Sequence, residues 1–237
     1  MKHIHFNTIN STNQYLKDNY ESLDNLTIIS ADHQTNGRGR FNRKWFDSDD
    51  LLFSILLKEN IENPADYSLV IAKTVFTVLN KYMTNVSIKW PNDILVNDNK
   101  VCGILLEAVT TSKLECVIIG VGINVNTNEF SDDLKIKATS LSKELNKTID
   151  KEELFNKIIN CFEEDYKEYV KGNKEYLEII NNNFYLKNKN VMFTYNNQIL
   201  NGTALGINNK GEILIKVNDE IVEISTGEVT FTNVYNS

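Results

Sequence analysis

No stretch of the chain carries the roughly eighteen consecutive apolar residues that a membrane-crossing helix needs. The opening residues, Met1-Lys2-His3-Ile4-His5-Phe6-Asn7, hold no apolar signal core, so a cytoplasmic protein without a membrane partner is expected. Cysteine is scarce. Cys102, Cys116 and Cys161 are odd in number and form no Cys-x-x-Cys pair, which excludes a disulfide-stapled scaffold and reads as three buried thiols. The three histidines, His3, His5 and His33, lack zinc-ligand spacing to cysteines or carboxylates, and no metal site is inferred. A basic surplus is also missing: the net charge of −7 disfavours a large nucleic-acid surface, which would need a cationic face, and leaves room only for a local basic patch.

What is there describes a globular protein. With 41% hydrophobic and 24% charged residues, ten tyrosines and eleven phenylalanines, the chain is neither disordered nor fibrous. Its 237 residues suit one large domain, or one domain with a small appendage. Folding at this mass removes roughly 70% of the unfolded surface from water, enough for a substantial core. Arginine is the informative residue type. Arg38, Arg40 and Arg43 are the only arginines among 25 basic residues, and all three fall within six positions. Elsewhere this Asn-, Ile- and Lys-rich chain uses lysine, the usage of an AT-rich genome. Arginine kept in one window points to a task for the planar guanidinium fork, which grips phosphate or carboxylate at two points and stays charged when dehydrated. A solvated basic loop is the plainer alternative.

Periodicity predicts a short helix over residues 11–20, capped by Ser11, Thr12 or Asn13, then strands at Leu26–Ala31 and Leu51–Lys58. The long polar, glycine-containing connection between them, Asp32–Asp50, has the character of a functional loop. Ala65–Met83 reads as a helix with one buried face. Val86–Trp90, Asp93–Val96, Val101–Ala108 and Glu115–Asn126 read as successive strands. Lys151–Val170 reads as a long helix with Asp150 as its cap and Gly172 as its stop, and Lys174–Asn181 as a further helix. After the Asn181-Asn182-Asn183 run the texture changes. From Val191 to Thr232, short β-rich pieces alternate with breaks at Asn196-Asn197, Gly202, Asn208-Asn209-Lys210-Gly211 and Asn218-Asp219, the pattern of a small barrel. A boundary near Leu186 gives two expected domains, 1–186 and 187–237.

Four short strings carry chemistry. In Gly37-Arg38-Gly39-Arg40-Phe41-Asn42-Arg43, glycines let backbone amides approach an anion and the arginines supply charge. It is neither a Walker A loop nor a Rossmann fingerprint. Trp45 follows, offering a flat face to a base ring or simply filling the core. Lys89-Trp90-Pro91-Asn92-Asp93 is a strand running into a turn. Lys100 then stands before the apolar Val101-Cys102-Gly103-Ile104-Leu105. It either snorkels, or holds a fixed ammonium toward a ligand. Gly120-Val121-Gly122-Ile123-Asn124-Val125-Asn126 places two glycines in an apolar strand, where something must approach closely or a bulge must form. Ser11-Thr12-Asn13 is a helix cap on its own terms.

In this order and spacing, these strings, together with Gln34 and Ala138-Thr139-Ser140-Leu141, resemble the biotin–protein ligases over nearly the whole chain. The resemblance implies an α+β fold: a mixed sheet backed by helices, related to class II aminoacyl-tRNA synthetases and lipoate ligases, with a small carboxy-terminal SH3-like β-barrel. It implies a two-step reaction, in which the biotin carboxylate attacks the α-phosphate of ATP and a lysine of a biotin carboxyl carrier protein then attacks the adenylate. ATP and biotin would be substrates, with Mg²⁺ arriving on the ATP. By family position, Lys100 and Arg40 would be catalytic. Ser11, Thr12, Asn13, Gln34, Arg38, Gly39, Arg40 and Lys100 would bind biotin, and Arg40, Arg43, Trp45, Asn92, Lys100 and Asn124 the nucleotide. Many bacterial relatives carry an amino-terminal winged helix; here the Ser11-Thr12-Asn13 string begins so early that no DNA role is expected. The rival readings are a lipoate–protein ligase, a non-catalytic biotin- or nucleotide-binding module, and a nucleic-acid binder, which the charge disfavours. The expected assembly is a monomer or a homodimer.

Overall fold

The computed structural model describes residues 1–45, 48–130, 138–195, 198–225 and 229–231. A seven-stranded sheet runs in the order β1-β2-β3-β7-β6-β5-β4, with β1 (His3–Ile9), β2 (Ile28–Gln34), β3 (Leu51–Leu57), β4 (Val86–Lys89), β5 (Asp93–Val96), β6 (Asn99–Thr110) and β7 (Leu114–Ile123). The β1–β2 pair is parallel and the others antiparallel, which makes the sheet mixed. Helices α1 (Thr12–Asn19), α2 (Pro64–Leu79), α3 (Leu141–Leu145), α4 (Lys151–Val170) and α5 (Glu175–Asn182) complete this part. A second, five-stranded antiparallel sheet follows in the order β11-β10-β9-β8-β12, from β8 (Asn190–Tyr195), β9 (Gln198–Ile207), β10 (Ile213–Val217), β11 (Glu220–Ile224) and β12 (Val229–Phe231), and fits an SH3-like domain.

The two faces of the large sheet are covered unequally. On one side α2, α4 and α5 bury the main core, in which Phe53, Ile55, Tyr67, Ile71, Leu79, Ile119 and Phe162 are inaccessible. This core runs without a break into the second sheet through Leu186, Val191, Phe193, Ile213 and Ile215. On the opposite face α1 packs over a small cluster of Leu16, Ile29, Leu56, Cys116 and Ile118. Trp45 covers a further part of that face, lying against Gly103 and Gly122.

Local rules explain most boundaries. The Ser11 hydroxyl caps α1 by accepting from the Gln14 amide, and Asp150 caps α4 through the Glu153 amide. β2 runs over Ile28–Gln34 rather than Leu26–Ala31, because Leu26 turns the chain with a φ of 62°, and Gln34 therefore ends a strand instead of starting a loop. α2 stops at Leu79, before Met83, with Asn80 as its cap. The half-buried edge strand β1 and the one-turn helix α3 were not legible as elements. Gly202 is no turn: it lies inside β9, where a Cβ would meet Ile215 Cγ2 at 2.6 Å. The turns at Asn208–Gly211 and Asn218–Asp219 do separate strands, whereas Asn196-Asn197 and Thr232 lie outside the described residues. Cys102 and Cys116 are buried and Cys161 is half-buried, a correction to the expectation of three buried thiols. Burial pushes all three thiols up from their ordinary range, so they are poor nucleophiles. Among the described residues no helix is long and apolar enough to cross a membrane.

Candidate active site

Register decides which residues share the α1-covered face. Ile29, Ser54, Gly120 and Leu105 form one cross-strand row, and Ala31, Leu52, Gly122, Gly103 and Asp93 form the next. Side chains alternate along strands, so Glu107 on β6 and Ile118 on β7 face the same way. Gly103 and Gly122 are direct partners, and their missing side chains make room for the Trp45 ring and the Lys100 side chain.

Beneath α1 lies a hydrogen-bonded row. Thr12 gives both its amide (2.7 Å) and its hydroxyl (3.1 Å) to Gln34 Oε1. The Ser54 hydroxyl, fully buried, lies 2.7 Å from Thr12 Oγ1 and 2.6 Å from Asn13 Oδ1, with one proton for the two. Asn13 Nδ2 donates to Glu107 Oε2 at 2.8 Å and to the Leu105 carbonyl at 3.4 Å. The Asn13 side chain lies directly on Gly120, where a Cβ would come within 2.9 Å of the amide carbon. That close approach explains the first glycine of the Gly120-Val121-Gly122 string.

The arginine loop is a small hairpin. Trp45 N donates to Gly37 O at 3.0 Å, Gly39 N to Arg43 O at 2.7 Å, and Arg38 bridges Lys44. Its tip is Phe41, exposed and at a φ of 56°, with the guanidinium carbons of Arg40 and Arg43 at 5.1 and 5.7 Å from its ring centre. Arg38 reaches back to Glu107 (3.0 Å) and Gln14 Oε1 (3.1 Å). Arg40 Nη1 donates to Asn92 Oδ1 at 3.1 Å, while Asn92 Nδ2 holds the Ile104 carbonyl at 2.9 Å. The loop thus bridges α1 and β6 on one side and the Trp90–Asp93 turn on the other.

Trp45 lies over the paired glycines. A Cβ on Gly122 would sit 2.7 Å from Trp45 Cε2, and one on Gly103 2.9 Å from its Cζ3. Its indole N–H is buried with no hydrogen-bond partner among the described residues. The Lys100 Nζ is 2.7 Å from Asp93 Oδ1 and 5.8 Å from the Trp45 ring centre. A register shift between Ile94 and Leu95 pairs Lys100 with Leu95 and Cys102 with Ile94, and the extra residue re-aims Lys100 onto the face of Gly103. The ammonium is held rather than snorkelling.

Nearly every expected site residue is therefore gathered on one face. Ser11, Thr12, Asn13 and Gln34 line its α1 end, Lys100, Trp45 and Asn92 its other end, and Arg38, Gly39, Arg40 and Arg43 the loop above. Asn124 differs. It is buried, and its amide donates to the backbone carbonyls of Thr139 (2.9 Å) and Lys100 (3.4 Å), so it braces the Lys100 main chain. Three participants escaped sequence reasoning: Gln14, Ser54 and Glu107. Only Glu107 left a signal, a carboxylate interrupting the apolar run of β6.

The chain belongs to the biotin/lipoate A/B protein ligase family, whose pattern matches residues 5–124. The pattern of the biotin protein ligase C-terminal domain matches residues 188–231. Among named relatives, the chain is similar to the bifunctional ligase/repressor BirA of Bacillus subtilis, 34% identical over 212 residues, covering 86% of this chain and 65% of that relative's length. It is also similar to the solved biotin protein ligase from Aquifex aeolicus in complex with biotin and ATP, with 31% identity, a TM-score of 0.88 and 98% of each chain covered. The Leishmania major biotin protein ligase, at 18% identity and a TM-score of 0.62, shares the fold.

Proposed function

We propose that the protein is an ATP-dependent biotin–protein ligase that activates biotin as biotinyl-5′-AMP and transfers it to a lysine of a biotin carboxyl carrier protein. The observation that carries this reading is the placement of the Lys100 ammonium. Asp93 holds it against Gly103 and beside the Trp45 ring, on the turn whose Asn92 is met by Arg40. Two anions must meet for a carboxylate to attack a phosphate, and a cation fixed between them lowers their repulsion without reorganising.

In the first step a biotin carboxylate oxygen attacks the α-phosphorus and pyrophosphate leaves. Lys100 and Arg40 stabilise the charge on the phosphoryl oxygens. In the second step the neutral amine of the carrier lysine attacks the acyl carbon, AMP leaves with the bond electrons, and the nitrogen gives up one proton to solvent. Ser11, Thr12, Asn13 and Gln34 hold the neutral head of biotin, and Arg38, Gly39 and Arg40 close over it. Arg43 and Asn92 serve the nucleotide with Arg40 and Lys100, and Trp45 flanks the adenine. Asn124 acts on the nucleotide side by bracing Lys100. Mg²⁺ enters with ATP as part of that substrate. Residues 1–186 form the catalytic domain and 187–237 the SH3-like domain. The net charge of −7 argues against a nucleic-acid partner, and the protein works in the cytoplasm.

The test is to mix the protein with Mg·ATP, a carrier domain, and either biotin or lipoate, then weigh the carrier by mass spectrometry. Addition of one biotinyl group, with lipoate inert, is the expected result. Lipoylation of the carrier would move the reading to a lipoate–protein ligase. No acylation with either acid would leave a binding module.

A further inference from the structure

Resting on the ligase reading, we infer that Glu107 is a positioning residue that sets the hydrogen-bond polarity of Asn13. Through it, the site selects a ligand whose ring carries an N–H. An asparagine amide can turn its two ends either way, and only its neighbours decide which end faces the ligand. Here both neighbours of the Asn13 nitrogen, the Glu107 carboxylate at 2.8 Å and the Leu105 carbonyl at 3.4 Å, are acceptors without a proton to give. The NH₂ must face them. The carbonyl end must then face Ser54 Oγ and the bare Cα of Gly120. A carbonyl oxygen has two lone pairs, and Ser54 has one proton to share between Asn13 and Thr12. Acceptor capacity is left at this end of the cleft, which suits a cyclic urea and gives a cyclic disulfide nothing.

Glu107 serves a second member of the site in the same way. Its Oε1 and Oε2 lie 3.0 and 3.3 Å from Arg38 Nη2, which also reaches Gln14 Oε1. Gln14 is itself oriented, because its Nε2 donates to Asp18 at 2.7 Å. One carboxylate therefore ties the helix that presents Asn13 to the loop that presents Arg38, and balances the guanidinium charge there. The arrangement fits an uncharged polar head at the Glu107 end, with the carboxylate tail toward Lys100.

The experiment is biotin-dependent ATP–pyrophosphate exchange by the full chain and by Glu107→Gln, which keeps shape and loses charge. The glutamine keeps one acceptor oxygen, replaces the other with an NH₂ that can accept from neither Asn13 nor Arg38, and loses the charge opposite the guanidinium. The KM for biotin and for desthiobiotin, which keeps the urea ring, should rise together by about tenfold or more, while the KM for ATP stays within about twofold. A purely structural role would lower the melting temperature without that split. Glu107→Asp, charged but one methylene short, should change biotin KM in the same direction, and it carries the test should the glutamine variant not fold. Ser54→Ala should raise biotin KM less than Glu107→Gln, because the amide stays oriented. The inference is overturned by a folded Glu107 variant with wild-type biotin KM, by a parallel rise in ATP KM, or by a larger effect at Ser54. If the wild-type chain shows no exchange with biotin, the ligase reading itself falls, and this inference with it.

Discussion

Trp90 donates its indole N–H to the backbone carbonyl of Gly211 across 2.9 Å in a buried setting, joining the turn that carries Asn92 and Asp93 to the hairpin between β9 and β10. Gly211 has a φ of 77°, and a Cβ there would come within 2.5 Å of Leu69 Cδ1, so the hairpin docks where only glycine fits. Trp90→Phe removes the N–H donor with part of the ring, orphaning the carbonyl and leaving a small void, at a cost of about 1–3 kcal/mol or more. The expected result is a melting temperature lower by several degrees in calorimetry, with native far-ultraviolet dichroism. An unchanged melting temperature would remove this bond from the account of stability.

Lys100→Gln should abolish pyrophosphate release while the protein stays folded, because the lysine tip is partly exposed and its loss opens no cavity. Asp93→Asn should be milder, since the ammonium remains and loses only its anchor. Near wild-type release by a folded Lys100→Gln variant would sink the assignment of Lys100.

Arg40→Gly removes the guanidinium that reaches Asn92. A charge-assisted hydrogen bond contributes on the order of 1.5–3 kcal/mol, so the adenylate should be held roughly ten- to hundredfold more weakly. Escaped adenylate acylates any lysine. Labelling of albumin beside the carrier should therefore appear with this variant and not with wild type. Labelling confined to the carrier would mean that the loop is no clamp.

Asp66 gives a pH signature. Burial raises its carboxyl above the ordinary range, and the bond from Tyr169 (3.1 Å), the charge of Lys174 and the bond from Tyr176 offset this only in part. The folded state then binds this proton more tightly than the unfolded chain does. The contribution to stability is full below the unfolded pKa and is lost as pH rises through the folded value. Asp66→Asn does not titrate, so its melting temperature relative to wild type should increase from about pH 4 to about pH 7. A thermal-shift series across that range checks it, and a constant difference would refute the assignment.

Much of the site was readable in the chain. Three arginines in one window, a lysine before an apolar strand and paired glycines in another each marked residues that the fold brings to the α1-covered face. Helix α4 emerged with its bounds intact, because Asp150 caps it and Leu154, Phe155, Ile158 and Phe162 repeat at helical spacing. Strand β1 did not, since an edge strand buried on only part of one face carries too few apolar residues for alternation to show. The glycines of β7 were visible as anomalies, but Asn13 as the cause at Gly120 and Trp45 as the cause at Gly122 depend on cross-strand register.

The sequence by itself determined which chemical groups the protein brings to its task, and most of the segments that become helices and strands, because side-chain type and periodicity are local properties. Tertiary structure alone decided how those groups are oriented. Ser54 and Glu107 become partners of Asn13 only because β3, β7 and β6 lie side by side in this register. Lys100 reaches the ligand face only because one extra residue in β6 shifts its pairing with β5. Asn124, buried, braces the backbone of Lys100 and Thr139. Hydrogen bonds fix direction over distances of about 3 Å, and residues dozens of positions apart come that close only when the chain is folded.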